Sequence, residues 1–180
     1  RHIDIYPQLK EPVSKIMNQP DLNARVDIIA GLGEANSPVA AEMIKPYLAD
    51  NNPQVRQAAV VSLARQQNAD VNFAGAVAPL VKDPAWEVRL TALQALGKPQ
   101  DLRPMADVFR SAAANDKVAV VRAAALDNLS RVNLPGTATV VAEGLKDSDP
   151  FVRYTATLGL AGHITKQPGL IENVRPLLED

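Results

Sequence analysis

The chain contains no cysteine, and that absence excludes disulfides, thiolate metal sites and thiol catalysis. It leaves the compartment open between cytoplasm and periplasm. Nor is there an excess of positive charge: 19 Lys and Arg face 20 Asp and Glu, so nothing neutralises a phosphate backbone, and nucleic acid is not an expected partner. No uninterrupted apolar run approaches the roughly 18 residues of a membrane span, so no membrane insertion is expected. Aromatic residues are scarce as well, 4% of a chain that is 47% apolar. A core this apolar with so few rings must be filled by small side chains, which requires elements packed close together. What the 180 residues do supply is enough length for one domain with a real core.

They also supply a repeat. Arg25, Arg56, Arg89, Arg122 and Arg153 are spaced by 31, 33, 33 and 31 residues. Counted from each arginine, position −1 is Ala or Val, +3 is Ile28, Ala59, Ala92, Ala125 and Ala156, and +7 is leucine every time. Apolar residues at −1, +3, +4 and +7 have a helical period. Small residues recur at +6 (Gly31, Ser62, Ala95, Asn128, Gly159) and +8 (Gly33, Ala64, Gly97, Ser130, Ala161), where they let neighbouring helices approach. Asp21, Asn52 and Asp149 stand as N-caps, and Pro53 and Pro150 fall at the first helical position. Second apolar segments lie between these helices, 39–48, 73–81, 105–114, 138–145 and 170–178, with an irregular first copy at 5–17. The unit is a helical hairpin of about 32 residues. Pro46, Pro79 and Pro176 share one register and should shorten or kink the first helix of their hairpins. Ala112 and Glu143 replace them in the fourth and fifth copies, where straighter helices are expected.

The run Asp83-Pro84-Ala85-Trp86-Glu87-Val88-Arg89-Leu90-Thr91-Ala92-Leu93-Gln94-Ala95-Leu96-Gly97 resembles a HEAT repeat. It is similar to the short bacterial HEAT-like repeats first noticed in phycobilisome lyases. The resemblance implies an all-α, right-handed α-solenoid of about five hairpins plus a terminal half-repeat. The copies would span about 5–34, 37–66, 71–98, 102–132 and 136–165, with a half-repeat over 168–180, in a single domain of 1–180. Outer helices would line the convex side and arginine-bearing inner helices the concave side. In the first copy Gln19 stands where later copies have Asp50, Asp83, Asp116 and Asp147. The opening Arg1-His2-Ile3-Asp4 and the close Pro176-Leu177-Leu178-Glu179-Asp180 both suggest a piece of a longer parent, with more repeats or a pairing surface at the end.

Two constellations need a role. The five arginines with Asp50, Asp83, Asp116 and Asp147 read, through the resemblance, as a structural ladder tying adjacent hairpins through carboxylates and helix-end carbonyls. The opposite face of the inner helices, positions −2, +1, +2, +5 and +9, is where binding should be written. In the fifth copy it carries Phe151, Tyr154, Thr155, Leu158 and Gly162, with no charge. Two rings and a leucine on a nominally exposed face form a candidate hot spot, with Val120, Ala123 and Ala124 beside them, unless more of the same polypeptide covers them. Leu90, Gln94 and Val61 are secondary candidates. Trp86 should pack on a turn between repeats.

Catalytic signals are absent. His2 and His163 are the two histidines, 161 positions apart, and His163, after Gly162 near a helix end, should cap carbonyls or sit in solvent. No metal-ligand spacing, phosphate loop or nucleophile motif occurs, and no cofactor is expected. The expectation is a non-enzymatic scaffold that presents its inner helices to a protein partner or to a covalently linked neighbouring domain. The alternative carried by the resemblance is an accessory or lyase-like protein handling a tetrapyrrole, bilin or heme, on a partner. A DNA-binding repair protein is further off, because the basic, aromatic concave face of such proteins is missing.

Overall fold

The computed structural model describes residues 21–66, 72–98 and 101–166, with the isolated positions 11, 15, 168, 169, 171, 172 and 175. Most of the expected irregular first segment at 5–17, with Gln19, His2, Pro176, Asp180 and most of the half-repeat, lies outside the described residues. All regular structure among the described residues is helical. Two compact units divide the chain, residues 1–95 and 96–180.

The first unit holds α1 (Leu22–Glu34), α2 (Pro38–Ile44), α3 (Pro53–Leu63), α4 (Phe73–Val77) and α5 (Trp86–Leu96), whose last residue crosses the boundary. Asp21 starts α1 by accepting from the Asn23 and Ala24 N–H groups at 2.8 and 3.2 Å. Asn52 starts α3 through the Gln54 N–H at 2.9 Å, with Pro53 behind it. Serine 37 caps α2, directly before Pro38. These side chains satisfy N–H groups that a helix start leaves without partners. After Ile44 and after Val77 the backbone tightens into 3-10 turns, Lys45–Ala49 and Ala78–Lys82. Pro46 and Pro79 sit at their starts, where a ring that lacks an N–H stops the α-helical ladder. Ile29, Ile44, Val55, Val60 and Leu63 are fully buried, and Phe73 packs on the cluster from its edge.

The second unit holds α6 (Ala106–Asn115), α7 (Ala119–Ser130), α8 (Thr137–Glu143) and α9 (Pro150–Lys166). Asp149 opens α9 through the Phe151 N–H at 2.8 Å. α6 runs without interruption through Ala112, where the earlier copies carry proline. α8 departs from the straight helix expected at Glu143: the chain tightens there into the 3-10 turn Gly144–Lys146. Close approach is the reason. A Cβ on Gly144 would stand 2.7 Å from Leu126 Cδ1 and 3.0 Å from Ala156 Cβ, so the turn lies directly on α7 and α9. Phe109, Val121, Leu129, Val141 and Val152 are fully or almost fully buried around these contacts.

Small residues mark close contacts inside each unit. In the first unit Gly33 meets Ser62, and in the second Gly97 meets Asn128 and Ser130 meets Gly159. At each of these crossings one partner is glycine, so backbone rather than side chain occupies the interface. No helix among the described residues is long and apolar enough to cross a membrane.

Candidate interaction face

The aspartate that closes each intervening segment both ends that segment and starts the next helix. Asp50, Asp83, Asp116 and Asp147 end a 3-10 turn or helix. Each then accepts through Oδ1 from the N–H two residues on, at 2.8 to 2.9 Å, which bends the chain into the next helix. Arginines of the preceding helix reach these carboxylates as well. Arg25 reaches Asp50. Arg56 donates Nε and Nη2 to the two oxygens of Asp83, both at 2.7 Å, and Arg122 grips Asp147 in the same way, again at 2.7 Å.

The other guanidinium edge faces home. Nη1 of Arg56, Arg89, Arg122 and Arg153 donates to the carbonyl of the aspartate six residues earlier, at 2.6 to 2.9 Å. Planar bidentate geometry suits arginine and not lysine. The hydrogen bond from Arg122 holds the Asp147 carboxyl below its ordinary value, and the bonds to Asp83 and Asp147 raise Arg56 and Arg122. These arginines hold hairpins together and are half-buried, whereas Arg153 is exposed.

A second set of side chains ties the helix ends, at positions the repeat pattern alone does not single out. Gln66, ten residues after Arg56, donates Nε2 to the Leu32 and Gly33 carbonyls at 3.0 Å, and its Oε1 accepts from the Ser37 N–H at 2.8 Å. Arg131 donates to the Gly97 carbonyl at 2.7 Å. His163, also at +10, hydrogen-bonds the Leu129 carbonyl, the counterpart of Leu32. A helix end leaves such carbonyls without partners, and these side chains cover them.

His163 therefore does bond a carbonyl, but one on a neighbouring helix, and it is not in solvent: the ring is buried inside the last turn of α9. Burial pushes its pKa down, against the Leu129 bond and with Lys166 adding to the depression. Its Nε2 has no hydrogen-bond partner among the described residues. The described surface therefore presents no imidazole, and no three potential metal-binding side chains gather among the described residues.

Phe151, Tyr154 and Leu158 share one face of α9 and are 53%, 60% and 57% exposed. Spacings of three and four place them along one helical strip. Thr155 and Thr157 donate their hydroxyls to the Phe151 and Arg153 carbonyls, four residues back, at 3.0 and 2.9 Å. The two threonine hydroxyl protons are thus satisfied within the helix, which leaves the Tyr154 hydroxyl as the polar tip of the strip. Val120 of α7 is 38% exposed. Ala123, expected beside it on the same face, is buried instead, because α7 turns that position inward in the packed unit.

In the first unit Val61 and Gln94 are exposed, Leu90 is half-buried, and Trp86 stands exposed at the first residue of α5. Gln57 donates to the Thr91 hydroxyl at 3.2 Å, bridging α3 and α5 beside them. The three secondary candidates thus fall on the first unit and the α9 strip on the second.

No family model and no curated protein matches the sequence. Solved structures do match in shape. Two crystal structures of engineered proteins each align with a TM-score of 0.64. One is 18% identical and covers 94% of this chain and 87% of its own; the other is 17% identical and covers 93% and 86%. The phycocyanin lyase complex of CpcE and CpcF from a Nostoc species aligns with a TM-score of 0.47 at 14% identity, over 94% of this chain and 93% of that one. The likeness at such identities concerns architecture, and the chain has an all-α helical-repeat fold of the α-solenoid kind.

Proposed function

We propose that the chain is a non-catalytic, HEAT-like interaction module that binds a protein partner through α9. The observation that carries this reading is the strip of Phe151, Tyr154 and Leu158, three large apolar side chains each more than half exposed on a single helix face. A soluble surface rarely leaves such a group open without using it, and rings concentrate binding energy because they bury large area at little entropic cost. The threonine hydroxyls beside them are bonded back into the helix and add no unsatisfied donor. Rigid presentation follows from the arginine–aspartate pair Arg122–Asp147, which fixes the start of α9 on α7.

A photo-crosslinking residue in place of Tyr154 tests the reading in cells. It should give a discrete adduct of higher mass, while the same residue at Ser111, exposed on α6, should not. Adducts of equal yield at both positions, or none at 154, contradict it.

A further inference from the structure

Position +10 ties helix ends together in both units, and the two residues found there differ in one respect. Gln66 of the first unit is neutral at every pH, and both ends of its amide are bonded, to the Leu32 and Gly33 carbonyls and to the Ser37 N–H. His163 of the second unit is titratable. Its ring is 4% exposed and bonds the Leu129 carbonyl at the end of α7, while its Nε2 meets no partner among the described residues, which leaves Nδ1 as the donor. A neutral imidazole tolerates this arrangement, because Nε2 then carries a lone pair and no proton. Imidazolium does not: it carries an N–H on both nitrogens, and a buried charged donor without an acceptor is costly.

Among the described residues nothing beside the ring compensates a positive charge. Lys166, three residues on in the same helix, opposes it. The charged side chains of the elements packed against α9 are engaged elsewhere or exposed: Arg122 holds Asp147, Asp127 lies 3.9 Å from Arg131, and Glu143 and Lys146 are exposed. The backbone next to the ring offers a place to give way. Gly162 directly precedes His163, glycine has a poor helix preference, and a Cβ there would meet nothing within 4 Å, so no neighbour braces that point. The other end of α9 is held, by the Asp149 cap and by the Arg122–Asp147 pair. We propose that His163 is an acid-released latch: when the ring takes up a proton, the last turn of α9, residues 162–166, unwinds from the end of α7, while the start of the helix and its arginine–aspartate clamp stay in place. The latch is independent of what α9 binds.

Amide hydrogen exchange of the full chain, read by NMR and normalised to the intrinsic rate at each pH, tests the latch. Between about pH 7 and pH 5 the protection factors of residues 163–166 should fall about threefold or more, in step with titration of the His163 ring resonance, while those of residues 153–156 hold. His163→Gln should abolish the fall, because the amide keeps a carbonyl bond and cannot take up a proton in that range. The match between exchange and ring titration is read on the native chain, so the test stands even where the glutamine variant does not fold. A fall that persists in the glutamine variant, or that does not follow the ring, makes carboxylates the trigger and overturns the proposal. Equal loss of protection throughout α7 and α9 overturns it as well, since His163 would then bear on global stability alone. So does constant protection at 163–166.

Discussion

Gly159 of α9 lies so close to Ser130 of α7 that a Cβ on the glycine would stand 2.8 Å from the serine Cβ and 3.2 Å from Val141 Cγ1. Three residues later in the same helix, Gly162 has nothing within 4 Å of the corresponding point. The two glycines therefore answer one substitution with opposite signs. Gly159→Ala should destabilise the chain by about 1–3 kcal/mol, because the clash is with rigid backbone-near atoms. Gly162→Ala should stabilise it by about 0.5–1 kcal/mol through helix propensity alone. Urea denaturation of both variants checks the contrast, and Ser130→Gly should recover part of the loss at Gly159.

The arginine–aspartate pairs are not equal in energy. Asp83 is buried and Arg56 half-buried, so Asp83→Asn removes an anion and leaves a guanidinium without its counter-charge. A loss of about 3 kcal/mol is expected, within the range for breaking a buried pair. Arg153→Ala, at an exposed arginine, should cost about 1 kcal/mol or less. Equal losses in chemical denaturation would contradict this ordering.

His163 gives the stability a pH dependence of defined sign. Burial lowers its pKa in the folded chain below the ordinary 6.5, so the unfolded chain binds the proton more readily. Stability from this group is complete above about pH 6.5 and is lost as the pH falls through the depressed folded value. Asp147, also depressed when folded, acts in the same direction but in the carboxylate range, so the two are separable. His163→Gln should flatten the curve between pH 7 and 5 while keeping the bond to Leu129, since Gln66 makes the equivalent bond in the first unit. Melting temperatures across that range provide the measurement; an unchanged slope in the glutamine variant would remove His163 from the account.

Much of the fold is legible in the sequence because it is written in local chemistry. Asp21, Asn52 and Asp149 announce helix starts, and Pro46 and Pro79 announce where α-helix gives way to a tighter turn. The shortening at Gly144 is not legible, because it depends on Leu126 and Ala156 arriving from two other helices. Of the two expectations for His163, a carbonyl contact holds and exposure to solvent does not. A histidine after glycine near a helix end is polar in isolation, and its burial and its bond to Leu129 depend on α7 packing beside it. The repeat spacing brings out the arginines and aspartates, yet only the folded chain assigns Arg56 to Asp83, 27 residues ahead, and the Asp50 backbone, six residues behind. Ala123 follows the helical pattern of an exposed face, and packing buries it. By contrast, the scarcity of rings already limits where a hot spot can be, and α9 carries two of them in the open.

The most direct test of the central claim, that the exposed rings of α9 serve binding and not folding, is thermal unfolding and partner capture measured together on the Phe151→Ala/Tyr154→Ala chain. The account expects a melting temperature within about 2 °C of the native chain, as for exposed substitutions, together with loss of a partner that the native chain retains. A melting temperature lowered by 10 °C or so, or undiminished capture, would contradict it.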